Sequence, residues 1–322
     1  MTQLAAARGS LGRWARGDSW TVGLIVIFIA LFLLTKILRP TYGLDALAIA
    51  SLPVAFAAAG QAIVVISGGI DLSIGSVMAL TNVIAASLLL SYPELSVPIV
   101  LFVMLAGLLI GAVNGVLVVV SRVPDIVVTL AMLFVWAGVA LLVMGTPGGA
   151  STPWLREISS GTLGIELIPR ALVVLLVIVG VVWIPLRRSR LGLSIYAIGS
   201  NQLAAFRSGV NVEGTKIAAY ALTGFFSSLG GLALTASTGI GTPIPGPYLL
   251  LSVAAIVLGG VSLAGGRGGL LGPIVGIYIL GIIRADLTFI GMEPAFSTVI
   301  QGVIMVMVVM IGAYLTLRRR AA

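Results

Sequence analysis

Apolar residues in this chain run in nearly continuous blocks of about twenty, separated by short punctuations of Gly, Pro, Arg and Asn. Neither the strand alternation of a half-buried sheet nor a single helical stripe organises them. Blocks of that length read as helices crossing a bilayer, since about 20 residues at about 1.5 Å each span the hydrocarbon. The pattern predicts ten, near 21–38, 45–66, 73–91, 97–120, 125–145, 169–186, 215–237, 249–264, 270–290 and 294–316. The eighth and ninth are short and glycine-flanked, so re-entrant halves stand there beside full crossings. The expected fold is an all-α polytopic membrane protein of about ten transmembrane helices with broken or re-entrant segments. Residues 1–20 form an N-terminal segment, 21–316 a single membrane domain with a long inner loop at 187–214, and 317–322 a basic tail.

Charge adds orientation. An even number of spans puts both termini on one face. With the N-terminus inside, Arg8, Arg13, Arg16, Arg122, Arg187, Arg188, Arg190, Arg207, Lys216, Arg267 and Arg318–Arg320 lie inside, leaving Lys36, Arg39, Arg156, Arg170 and Arg284 outside. That asymmetry predicts N-in, C-in. The run Val22–Leu34 resembles a signal-peptide core, but Lys36, Arg39 and Pro40 follow it where a small-residue cleavage site belongs, so it reads as an uncleaved first span. The net charge of +8 is carried mainly by loops flanking apolar spans. No basic stretch is interleaved with aromatics in the way that stacks bases, so nucleic acid is not an expected partner.

Composition narrows the chemistry. Hydrophobic residues make up 59% and charged ones only 9%, and there is no cysteine or histidine. Disulfides, thiol nucleophiles, the usual zinc sites and the commonest general base are therefore excluded. Lys36 and Lys216, the only lysines, sit near segment ends. No catalytic or metal site is expected.

Polar residues at segment junctions carry the candidate function. GGIDLSIGS at 68–76 places Gly68 and Gly69 between two apolar runs, with Asp71 and Ser73 near the start of a helix beginning at Ser73 or Ile74. Asp71 can cap that helix. An ionisable group among apolar spans also marks an aqueous path or a moving part, and both readings stand. Asn114, in GAVNG, follows Gly107 and Gly111 on one span; the glycines fit close helix packing, and Asn114 suits either packing or path lining. The runs IVVISGGIDLSIG at 63–75 and AIVLGGVSLAG at 255–265 share an order that suggests an internal duplication, with Gly259 and Gly260 opposite Gly68 and Gly69. The glycines around Arg267 could form an anion-binding nest or simply a tight turn. GVNVEGTK at 209–216 is rejected as a phosphate loop, since its lysine falls one place late and no strand precedes it.

Two loops are candidate docking surfaces. Near 146–168 lie Pro147, Pro153, Trp154, Arg156, Glu157 and Glu166, which equally suit an ordinary connection. In the inner loop, Asn201 can cap a short helix over Gln202–Arg207 that Gly209 terminates, offering a partner a handle or packing at the membrane surface.

Four motifs in order, GGIDLSIGS, GAVNG, LGLSIYAIGSN…AA…SGV at 191–210 and VLGGVSLAGGRG at 257–268, make residues 45–315 resemble the membrane permease of bacterial ribose/xylose/galactofuranose-type sugar ABC importers. The resemblance implies a multi-pass inner-membrane subunit that forms the translocation path by alternating access. Its implied partners are a second permease copy or paralogue, a cytoplasmic tandem ATP-binding subunit that carries ATP-Mg, an extracellular solute-binding protein and membrane lipid. No cofactor is implied in this chain. Asn201, Gln202, Ala204, Ala205, Ser208 and Gly209 would form the helix that couples to the ATPase, with Gln202 replacing the family's usual Glu. Gly68, Gly69, Asp71, Ser73, Asn114, Tyr248, Gly259 and Gly260 would serve the path and its gating. Where the family often reads Tyr-Glu-Leu-Asp, this chain has Tyr248-Leu249-Leu250-Leu251, so two acids at the expected outer end of a span are leucine. The rival reading is a self-sufficient ion-coupled secondary transporter with Asp71 as the coupling carboxylate.

Overall fold

The computed structural model describes residues 2–164 and 168–293, with helical positions beyond them as far as Met310 and side chains from Trp20 onward. Twelve α-helices are described: α1 (Thr2–Leu38), α2 (Leu44–Ile66), α3 (Ile74–Ser91), α4 (Ser96–Ser121), α5 (Asp125–Val143), α6 (Pro153–Ser159), α7 (Arg170–Arg188), α8 (Arg190–Ser200), α9 (Gln202–Arg207), α10 (Val212–Thr238), α11 (Tyr248–Leu258) and α12 (Leu271–Phe289). Eight are long and apolar enough to cross a membrane, α1 through its part from Trp20. The first seven expected spans and the ninth each have such a helix. Of the tenth, 294–316, only scattered helical positions as far as Met310 are described.

The axis of the bundle is α2, in which every residue from Ser51 to Ile66 is buried. Its AFAAAGQA stretch is rich in small side chains, which lets neighbours approach closely. Across it runs α10, packed on α2, α3 and α4. The close packing expected of Gly107 and Gly111 is realised here: a Cβ on Gly111 would strike the Tyr220 carbonyl and sit 2.9 Å from Gly224 Cα. Small residues on both helices bring the two backbones together. Elsewhere large apolar side chains point outward, including Leu101 and Phe102 on α4, Phe134 on α5 and Val181 on α7. Such outward apolar faces suit contact with lipid or with another membrane chain.

The expected eighth span departs from the sequence reading. α11 has 11 residues, a rise of about 16 Å against a hydrocarbon core of about 30 Å. The rest of the return is made without a helix. Gly241 pairs with Gly148, and a Cβ on it would meet Ala86 and Val83 of α3. Pro245 and Gly246 then lie against Gly75, in the first turn of α3. Prolines 243, 245 and 247 in TPIPGPY forbid a helix there. Asn82 of α3 holds the start of the descent, accepting the Thr242 N–H at 2.7 Å and donating to Ile240 O at 3.2 Å. An extended stretch and an 11-residue helix together take the chain from Gly241 to the glycine turn at 259–260.

Candidate functional site

α2 ends at the glycine pair. Ser67, Gly68 and Gly69 donate to the carbonyls of Ile63, Val65 and Val64 at 3.1, 2.9 and 3.0 Å, with Gly68 at φ +86°. This is a glycine-terminated helix end. The 23 residues of α2 amount to about 34 Å, so the turn closes a complete span.

Beyond it, α3 begins at Ile74. Asp71 Oδ1 accepts from the Ser73 N–H at 2.8 Å and the Ser73 hydroxyl at 2.6 Å. Ser73 Oγ accepts from Asn114 Nδ2 at 2.8 Å, and Asn114 Oδ1 accepts from the Trp136 indole at 3.0 Å. Because an indole N–H only donates, it fixes which way the Asn114 amide faces. Asp71 is 1% exposed and Ser73 and Asn114 are 0% exposed. These residues form a closed clasp joining α3, α4 and α5. A parallel set holds the same turn. The Ile70 carbonyl accepts from Thr129 at 3.1 Å and lies 3.3 Å from the Tyr220 hydroxyl, which is also 3.0 Å from Asp125 Oδ2. Lys216 completes it, 3.2 Å from Asp125.

The predicted short helix is α9. Asn201 Oδ1 accepts from the Ala204 N–H at 2.9 Å, and Gly209 ends the helix at φ +80°. Ala205 is buried beneath, whereas Leu203 and Phe206 are 58% and 67% exposed. With Gln202, Val210 and Glu213 they edge an open groove of about 620 Å³.

Gly199 and Ser200, which lead into α9, connect it to the rest of the site. A Cβ on Gly199 would strike the Ile66 carbonyl and come within 2.6 Å of Gly266 N. Gly266 N–H in turn donates to that carbonyl at 2.9 Å, and a Cβ on Gly265 would sit 3.0 Å from Gly68 Cα. The end of α2, the end of α8 and the loop after α11 therefore touch backbone to backbone. Tyr196 on α8 adds a bond to Gly268 O at 2.7 Å; burial pushes its phenol up, partly offset by Arg187, so it remains a donor.

Several sequence expectations change. Tyr248 packs part-way along the bundle, away from the end of α3 at Ser91. As the first residue of α11 it packs with Ile74, Met78 and Ala57, near the α9 end of α3, because the proline-rich stretch carries the chain that far before α11 begins. The glycine pairs do not match in register: φ is positive at Gly68 and at Gly260, while Gly259 stays helical. The same helix-ending bond pattern recurs at Ser208–Val210 and Ile290–Met292, so it belongs to helix ends in general. Gly259 and Gly260 have contact roles: a Cβ on the first would strike Pro273, and one on the second would meet the Trp20 ring at 2.8 Å. The N–H groups of Gly265 and Gly266 are bonded to Ser262 and Ile66 carbonyls, so they are not free for an anion nest.

Sequence reading missed Asp125, Thr129, Trp136 and Tyr220. Asp125 directly after Pro124 at the start of a span was the available signal; the others lie within apolar runs and carry none. The 146–168 loop folds partly as α6, tied to α4 by a 2.9 Å bond from the Trp154 indole to Ser96. Glu166 lies outside the described residues.

Comparison with known proteins gives a consistent result. The family described as branched-chain amino acid transport system / permease component matches residues 43–309. The ribose import permease of Escherichia coli is 34% identical over 264 residues, covering 80% of this chain and 81% of its own length. The fructose import permease of Rhizobium meliloti is 32% identical, covering 80% and 74%. The galactose/methyl galactoside import permease of Salmonella typhimurium is 32% identical, covering 82% and 84%. No solved structure matches the chain.

Proposed function

The chain belongs to the family of transport-system permease components, and from that premise we propose that it is the membrane subunit of an ATP-driven importer of a monosaccharide. The relatives named for ribose, fructose and galactose import support the cargo class. ATP hydrolysis falls to a separate subunit, and an extracellular binding protein delivers the cargo. Two permease chains, identical or paralogous, would enclose the path, with a tandem ATP-binding subunit inside.

One observation carries the mechanism: α9 presents Leu203 and Phe206 outward, and its lead-in residues touch the end of α2 and the loop after α11 without intervening side chains. An apolar pair on a short capped helix suits a groove in the ATP-binding subunit. Movement of that subunit would displace α9 and with it Gly199. The backbone contact at Ile66 and Gly266 would transmit the shift to the two turns. Packed cores respond to such displacements by switching between discrete arrangements. The Asp71–Ser73–Asn114–Trp136 clasp would keep the start of α3 attached to α4 and α5 as one body during the shift.

The test is uptake of labelled ribose, fructose and galactose into proteoliposomes, with ATP, ATP-binding subunit and binding protein each omitted in turn. Uptake that needs all three is expected. Uptake by this chain alone, following an ion gradient and lost in Asp71→Asn, would overturn the reading in favour of ion-coupled transport.

A further inference from the structure

The non-helical stretch between α10 and α11 is chemically unusual. Of the five residues 243–247, three are proline, so only Ile244 and Gly246 carry an N–H. Among the described residues, neither N–H has a hydrogen-bond partner, and nothing donates to the carbonyls of Thr242, Pro243, Ile244, Pro245 or Gly246. The stretch runs alongside the membrane-spanning α3, from Val83 and Ala86 to Gly75. At that depth bare backbone is tolerated only inside protein or beside water, because lipid supplies no hydrogen bonds. Yet part of it lies open on this chain: Ile244 is 68% exposed, Thr242, Pro245 and Gly246 are partly exposed, and only Pro243 among them is buried.

We infer that residues 242–246 line the aqueous path as a rail of hydrogen-bond acceptors, and that the ligand they receive is a neutral polyhydroxyl compound. Sugar hydroxyls donate to carbonyls, and successive carbonyls offer a series of similar weak stations. A rail of that kind holds a sugar without retaining it and discriminates little between epimers, leaving selection to the delivering protein. An anionic solute would be repelled by a row of acceptor dipoles. The sugar part of the inference rests on the importer reading; the water-lined part does not.

The chain has no cysteine, so single thiols report cleanly. Ile244→Cys is placed in the assembled transporter in proteoliposomes, with Val181→Cys on the exposed face of α7 as the lipid-facing control. Each is treated with a charged methanethiosulfonate and with a lipid-soluble maleimide. Expected is reaction of Ile244→Cys with the charged reagent at least tenfold faster than the control, slowed severalfold by transported sugar. Reaction with the lipid-soluble reagent alone, or no labelling with a thiol cross-link to a second copy, overturns the inference while uptake continues to support the importer reading. Fast charged labelling that no transported sugar slows overturns the rail as a sugar site. If no sugar is transported at all, the importer reading fails, and charged labelling still decides whether the stretch faces water.

Discussion

At the scale of single residues, backbone contact and buried polar bonds decide which substitutions matter. Asn114 spends both ends of its amide, on Ser73 and on Trp136. Asn114→Ala leaves the half-buried Trp136 indole N–H without a partner, at a cost toward the lower end of the roughly 1–3 kcal/mol of a buried orphan donor. The expected outcome is a lowered detergent melting temperature together with a changed Trp136 emission, read against a Trp136→Phe control. Glycines 199 and 209 make a sharper pair. A Cβ on Gly199 collides with the Ile66 carbonyl, whereas Gly209 has open space and only its φ of +80° to object. Overpacking against backbone costs about 1–3 kcal/mol and would also separate Gly266 from Ile66. The left-handed backbone at Gly209 alone costs about 1–2 kcal/mol. Gly199→Ala should therefore abolish most uptake, and Gly209→Ala should leave a measurable fraction; equal losses would remove Gly199 from the coupling route.

At the scale of elements, α9 has the properties of a contact element. Its six residues are too few to hold a helix unaided, so the Asn201 cap and the Gly209 stop do most of that work. Phe206→Ala removes a side chain that is 67% exposed, and exposed changes usually alter stability by less than about 0.5 kcal/mol. The melting temperature should stay put while ATP-dependent uptake falls about tenfold; a fall in both would mean that Phe206 serves the fold. Asn201→Ala should cost about 1 kcal/mol of cap and weaken association with the ATP-binding subunit, measured as co-purification. α9 was legible in the sequence because capping residues name their own positions: Asn201, Gly209 and the span between them stand as read. α11 was not. Hydropathy sums residues 249–264 into one apolar block without registering that Gly259 and Gly260 end the helix, or that three prolines upstream carry part of the crossing.

At the scale of the whole molecule, the legible part is the set of blocks and the illegible part is what touches between them. Apolar length gave the order of the spans and the motifs gave the family, because both are local along the chain. The contacts of Gly199 with Ile66 and Gly266, and the bonds of Asp125 with Lys216 and Tyr220, join positions more than sixty residues apart within or beside apolar sequence. Orientation lies between these cases. The end of the bundle that holds the Gly68 turn, α8, α9 and the loop after α11 also carries Arg122, Arg187, Arg188, Arg190, Arg207, Lys216 and Arg267, against Lys36, Arg39, Arg156, Arg170 and Arg284 on the rest of the chain. The basic end is expected inside, which is also where an ATP-binding subunit would meet α9. The cysteine-free chain again makes this measurable, through Gln202→Cys on α9 and Glu157→Cys on α6. In intact cells an impermeant maleimide that reaches the outer face should label Glu157→Cys and spare Gln202→Cys until the membrane is opened. The opposite order would invert the molecule, put α9 on the outside, and leave the backbone contact at Gly199 with no ATP-driven motion to transmit.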